Sequence, residues 1–157
     1  MTKTLLSFFL LINLSFASAQ NEQLLERQGE VTFFSYTSVE NIQAKNNQVQ
    51  SFLIPNKNEV VVLILMKAFK FKKSLMHEHF NESYIESDIY PEATFEGKII
   101  DFDPKSNGSQ TKIIKGDFTL RNITKPIEIK SKISKLGDNK YTIEGCLLYT
   151  SPSPRDS

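Results

Sequence analysis

The residues best suited to chemistry are two histidines, His77 and His79, in the run HEHF. Imidazoles serve metal ligation and acid–base work, so their spacing decides what they can do. On a helix, positions two apart point roughly 200° from each other, and such a pair cannot close on one ion. On a strand the two would share a face and could act as a pincer. HEHF also departs from the helical H-E-x-x-H zinc motif, because its second histidine falls two positions early. Any third ligand would have to be a carboxylate such as Glu78 or Glu82. A metal-dependent hydrolase using His77/His79 is therefore the weakest reading, and no cofactor is expected. The sequence has no G-x-S-x-G and no Gly-rich phosphate loop, and no acid pair sits in a recognisable catalytic setting.

Charge narrows the partners. The chain carries 19 Lys+Arg and 18 Asp+Glu, and loss of Lys3 with a leader leaves 18 against 18. A neutral chain lacks the electrostatic footprint of a nucleic-acid binder. Lys67, Lys70, Lys72 and Lys73 form the densest basic group. They read either as one solvated strand face or, for Lys70 and Lys72 together with Arg121, as contacts to a headgroup at the mouth of a cavity.

The elements that must position these residues are mostly strands. Residues 30–36 (EVTFFSY) and 49–54 are β-rich, and 39–47 is polar enough for a turn or one short helix. Residues 55–58 (PNKN) carry turn chemistry. Residues 59–72 form the longest strand candidate: 60–66 are continuously apolar, then Phe69 and Phe71 alternate with Lys70 and Lys72. A helix is expected from Ser74, as N-cap, to about Glu86, with Leu75, Met76, Phe80 and Tyr84 on an inward stripe. Tyr90-Pro91 stops it. Strands resume over 93–102, with Phe95, Gly97 and Ile99 on one face, and over 111–123, with Ile114, Gly116, Phe118 and Leu120 on one side. Residues 125–135 alternate most cleanly, Ile127, Ile129, Ser131 and Ile133 against Glu128, Lys130 and Lys132. A hairpin at 136–140 leads to 141–145. Short strands separated by turns imply a β-sandwich or an up-and-down barrel.

Both ends differ from this pattern. Residues 1–20 hold Lys3, an apolar run of about a dozen residues and Ala17-Ser18-Ala19, the layout of a secretory signal cleaved near Ala19. That run is shorter than the ~20 residues a spanning helix needs, so no integral membrane segment is expected after cleavage. Gln20 would then be first, leaving no cysteine for a lipid anchor. At the other end, 146–156 reads CLLYTSPSPRD, and its back-translation resembles a transposase-type sequencing adapter read in frame. The expected organisation is a signal peptide at 1–19, one domain at 20–145 and a non-native tail at 146–157. Cys146, the only cysteine, then carries no redox or metal role.

The order LMHEHFNE (75–82), YIESDIYP (84–91), FEG (95–97) and GDFTLRNITKP (116–126) resembles the YceI-like family of periplasmic lipocalin-like proteins, over about residues 29–145. The resemblance implies an all-β fold with one short helix: an eight-stranded antiparallel lipocalin-like up-and-down β-barrel around an elongated apolar pore, here incomplete at the C-terminus. Its members are associated with polyisoprenoid lipids. His77 stands where the family pattern is not fixed. The expected function is that of a periplasmic or secreted non-enzymatic protein enclosing a long apolar ligand, an isoprenoid-type lipid, for sequestration or transport. The expected wall is Phe33, Phe69, Phe71, Phe95, Ile99, Phe118, Leu120, Ile127, Ile129 and Ile133. The alternative is a filled barrel, an interaction or stress module of the envelope, in which the Phe residues that follow the signal are ordinary core.

Overall fold

The computed structural model describes residues 23–35 and 42–147. The expected signal, its cleavage site and most of the expected tail lie outside those residues. Eight strands make one antiparallel sheet: β1 (Leu24–Ser35), β2 (Ile42–Ile54), β3 (Glu59–Leu65), β4 (Lys70–Phe71), β5 (Glu92–Ile99), β6 (Gly108–Leu120), β7 (Ile123–Gly137) and β8 (Lys140–Cys146). Their order is β1-β2-β3-β5-β6-β7-β8, with β4 pairing β2 beside β3. This is the expected meander, curled into a nearly closed barrel. Among the described residues no pairing joins β1 to β8, which stand at the two ends of the order.

Register carries the expected alternation across the sheet. Val62, Phe95 and Phe118 lie in one cross-strand row, and Val60, Gly97, Gly116 and Ile127 in the next. Because side chains alternate with period two, each row places its members on one face, here the inner one. The core is two apolar clusters at opposite ends of the strands. One gathers Ala44, Val49, Ile64, Met66, Phe69, Ile85 and Ala93. The other gathers Leu53, Val60, Phe95, Ile99, Phe102, Ile114 and Ile133. Val62 and Phe118 pack against both.

The hairpins follow local chemistry. Pro55–Lys57 forms a single 3₁₀ turn closed by Asn58 in the left-handed region. Between β6 and β7, Arg121 and Asn122 both have positive φ, and Leu120 pairs with Ile123. A two-residue turn of that kind matches the twist of its flanking strands. Arginine is an uncommon choice there. It is held by an ion pair to Glu86 at 3.2 Å and by the Tyr90 ring at 5.9 Å.

Four expectations need correcting. Residues 42–47 are strand, not turn or helix, because the first half of β2 presents Ala44 and Asn46 inward, neither of which reads as a core residue. The long strand expected over 59–72 is three pieces: β3, a 3₁₀ turn at Met66–Ala68 and the two-residue β4. Asn46 drives that break, since its amide donates to the Leu65 carbonyl at 2.9 Å and occupies the acceptor a continuing ladder would use. The helix α1 is Ser74–His79, continued by a π-helical turn at Phe80–Tyr84, and it is preceded by Lys73 without a side-chain cap. Ser74 is thus the first helical residue rather than the N-cap. Leu75 and Tyr84 are exposed and Met76 is half-buried, so of the expected inward stripe Phe80 is the residue that packs against the core.

Among the glycines, the one with least room for a side chain lies in the middle of the sheet. A Cβ on Gly116 would sit 2.2 Å from the Glu96 carbonyl oxygen and 2.5 Å from the Gly97 Cα. The obstacle is backbone and cannot swing aside. Gly116→Ala is expected to cost about 3 kcal/mol or more, at or above the upper end for overpacking, read as a lowered urea midpoint.

Candidate ligand-binding interior

The wall residues expected from sequence separate by burial. Phe69, Phe95, Ile99 and Ile133 are nearly sealed, each at 4 % exposure or less. Phe33, Phe71, Phe118, Leu120, Ile127 and Ile129 are only partly buried and pack against the sealed ones. The sealed group belongs to the two clusters, and the half-buried group packs around them.

At one end the rings close on each other. Phe33 meets Phe69, Phe71 and Phe80 with centroids at 5.2, 6.1 and 5.6 Å, and Phe71 meets Phe80 at 5.0 Å. Most of these contacts are edge or tilted, the geometry aromatic pairs prefer. Helix α1 supplies Phe80, and the His77 ring stands edge-on to Phe71 at 5.7 Å. His79 is exposed. The histidines do not converge, and among the described residues no three His, Cys, Asp or Glu side chains are grouped to hold a metal.

The segment after the helix folds back through buried polar contacts that sequence reasoning missed. Asn81 donates from its amide to the His77 carbonyl at 2.9 Å and accepts the Ser87 hydroxyl at 2.8 Å. Ser87 is buried, and its backbone N–H donates to the Asn81 carbonyl at 2.9 Å. These residues belong to the runs that carry the family resemblance, which was the available signal. A second missed position is Lys125, half-buried and opposite Phe118. The two-residue period from Ile127 puts it on the inner face. Of the cations expected at a headgroup, Arg121 is engaged with Glu86 and Tyr90, whereas Lys70 and Lys72 are exposed.

At the other end Phe102 packs edge-on to Tyr141 at 6.0 Å. The Tyr141 hydroxyl donates to the Pro104 carbonyl at 2.9 Å, tying the β5–β6 loop to β8. Burial, with the nearby Asp138 carboxylate, holds this phenol above its ordinary range. Two clefts open to the surface. One of about 590 Å³ is lined by Arg27, Gln28, Asn47, Gln48, Gln50 and Leu65. The other, of about 240 Å³, is lined by Gln43, Ala44, Lys45, Lys70, Phe71 and Lys72. No helix among the described residues is long and apolar enough to cross a membrane.

A model of the YceI-like domain matches residues 16–147. No curated protein matches the sequence. Among solved structures, a polyisoprenoid binding domain from Saccharophagus degradans implicated in plant cell wall breakdown superposes with a TM-score of 0.60 at 11 % identity, over 73 % of this chain and 68 % of that one. The Campylobacter jejuni YCEI protein gives 0.46 at 15 % identity, over 76 % and 62 %. Burkholderia cenocepacia BcnA gives 0.44 at 10 % identity, over 77 % and 65 %. The chain thus spans between 62 % and 68 % of the length of these structures.

Two measurements check the polar anchors. Asn46 is fully buried, and besides its bond to Leu65 its Oδ1 accepts the Gln48 N–H at 2.9 Å. Asn46→Ala strands both partners and is expected to cost about 1–3 kcal/mol, measured by urea unfolding. For Tyr141 the raised folded-state pKa fixes the sign: its stabilising contribution is complete below the ordinary phenol range. As pH rises the unfolded chain loses its proton first, so that contribution declines through the folded-state pKa. Unfolding midpoints should therefore fall across the alkaline phenol range, and Tyr141→Phe should flatten the slope.

Proposed function

The chain belongs to the YceI-like family, and from that premise we propose that it is an exported, non-enzymatic carrier of a long apolar lipid of isoprenoid type. One observation carries the reading. A continuous set of inward apolar side chains, Phe118, Leu120, Ile127 and Ile129, remains only partly buried although it adjoins two well-packed clusters. Half-covered apolar wall is what a ligand of the same character would complete. Burying apolar carbon is worth roughly 0.8 kcal/mol per CH₂, so each five-carbon isoprene unit contributes on the order of 3 kcal/mol. A few units offset the cost of association without any polar constellation. The lining is then Phe33, Phe71, Phe118, Leu120, Ile127 and Ile129, while Phe69, Phe95, Ile99 and Ile133 hold the barrel. A leader at 1–19 with delivery to the periplasm fits this role.

The aromatic contacts among Phe33, Phe69, Phe71 and Phe80 favour a second reading at that end, a filled barrel acting as an interaction module. Native mass spectrometry of protein from a bacterial host separates the two, since a carrier retains co-purifying lipid and a consistently empty protein sinks the proposal. Substitution adds an independent check. Phe95→Ala is expected to cost about 3–5 kcal/mol as a core cavity. Phe118→Ala should cost clearly less stability and instead shed the bound lipid. Equal destabilisation by both, with lipid retention unchanged, would favour the filled barrel.

A further inference from the structure

The outer face of the barrel at β2 and β4 has an arrangement that folding alone does not call for. Lys45 on β2 and Lys70 on β4 are direct cross-strand partners. Like charges placed opposite each other destabilise a sheet. Lys72 follows on the same outward parity, and Lys45, Lys70, Lys72 and Gln43 line the 240 Å³ cleft. Among the described residues the carboxylate that offsets them is Glu30, which pairs with Lys45 at 3.2 Å. Lys70 and Lys72 have no ion-pair partner among the described residues. Beside them is Phe34, whose cross-strand partner is Gln43 and whose side chain is 58 % exposed.

An exposed aromatic ring next to a cationic cleft is ill suited to a merely solvated face. It fits an interface where apolar and anionic chemistry meet. Lysine ammonium groups are drawn to anionic headgroups, and an aromatic side chain enters the boundary just beneath them. We propose that this face docks the protein, as a peripheral contact, on the surface of an anionic lipid bilayer. Lys45, Lys70 and Lys72 meet the phosphates, and Phe34 inserts at headgroup depth. The inference is independent of what the interior holds, so vesicle binding and lipid co-purification can fail separately.

The test is co-sedimentation of the full chain with vesicles of phosphatidylcholine alone, or of phosphatidylcholine with an equal share of phosphatidylglycerol. Sedimentation is expected only with phosphatidylglycerol, and release is expected in about 1 M salt, where the Debye length shrinks to about 3 Å. At ~1 kcal/mol per basic residue near such a surface, each lysine lost should weaken partitioning about five-fold, and K70Q/K72Q together about 25-fold. Phe34→Ala should weaken binding further at fixed charge. K130Q/K132Q on the exposed face of β7 should leave it unchanged, and circular dichroism checks that each variant folds. Equal sedimentation with both vesicles, or equal loss in the two lysine pairs, would overturn the proposal. Release by inorganic phosphate, at an ionic strength where chloride leaves the protein bound, would assign the cleft to free anions and overturn it as well.

Discussion

The absence of any Cβ where Gly97 faces Gly116 is the constraint on which the barrel depends. The two glycines are register partners on β5 and β6, and neither could carry a side chain without meeting backbone of the neighbouring strand. The opening this leaves on the inner face is taken by a ring. A Cβ on Gly97 would lie 2.6 Å from the Phe95 ring, so Phe95 lies back along its own strand over the glycine. From there it seals the cluster that contains Ile99, Ile114 and Ile133. Close strand approach and ring packing are thus one feature, because the same missing atom permits both.

That feature was legible in sequence as far as parity goes. Phe95, Gly97 and Ile99 fall on one face, as do Ile114, Gly116, Phe118 and Leu120, and the register places both sets inward. Period-two patterns survive in sequence because every member of a strand obeys the same alternation. The first half of β2 was illegible for the converse reason. Its inward positions are Ala44 and Asn46, and a polar residue whose hydrogen bonds are met by distant backbone looks like a surface residue until the partner is known. Asn46 joins residues 19 apart in sequence, and nothing local announces such a bond. The break after Leu65 was hidden with it, since an unbroken apolar run through Val60 to Met66 gives no sign that the strand is interrupted.

The helical segment shows a related limit. Its apolar spacing identified Phe80, but extending the same period to Tyr84 assumed that 3.6 residues per turn persisted. Ile85 instead donates to the Phe80 carbonyl, a five-residue step, which widens the turn and rotates later residues off the expected face. Ile85, outside the stripe, becomes core while Tyr84 is exposed. The Asn81–Ser87 bond then fixes the return, so the motif around it acts by shaping the chain that leads into β5. His77 and His79 fall within this scaffold, one against Phe71 and the other in solvent, and the candidate site is defined by apolar surface rather than by ionisable groups.

The two ends of the barrel are held by different physics. Around Phe95 and Ile133 the wall is a full ladder, with β5, β6 and β7 paired along most of their lengths. Around Phe71 it is not: β4 contributes two residues, paired to β2 alone. There the wall rests on ring contacts among Phe33, Phe71 and Phe80 more than on backbone hydrogen bonds. Most of what ring packing contributes is burial, which is non-directional and can be met by another apolar molecule at a loss of about 0.5–1.5 kcal/mol per aromatic pair, whereas a broken ladder leaves unsatisfied donors and acceptors. Alternation along β4 then sets Phe71 inside and Lys70 outside on consecutive residues, so one two-residue strand separates the aromatic interior from the basic outer face. The end of the barrel whose wall rests least on backbone hydrogen bonds is therefore the end that carries the cationic cleft.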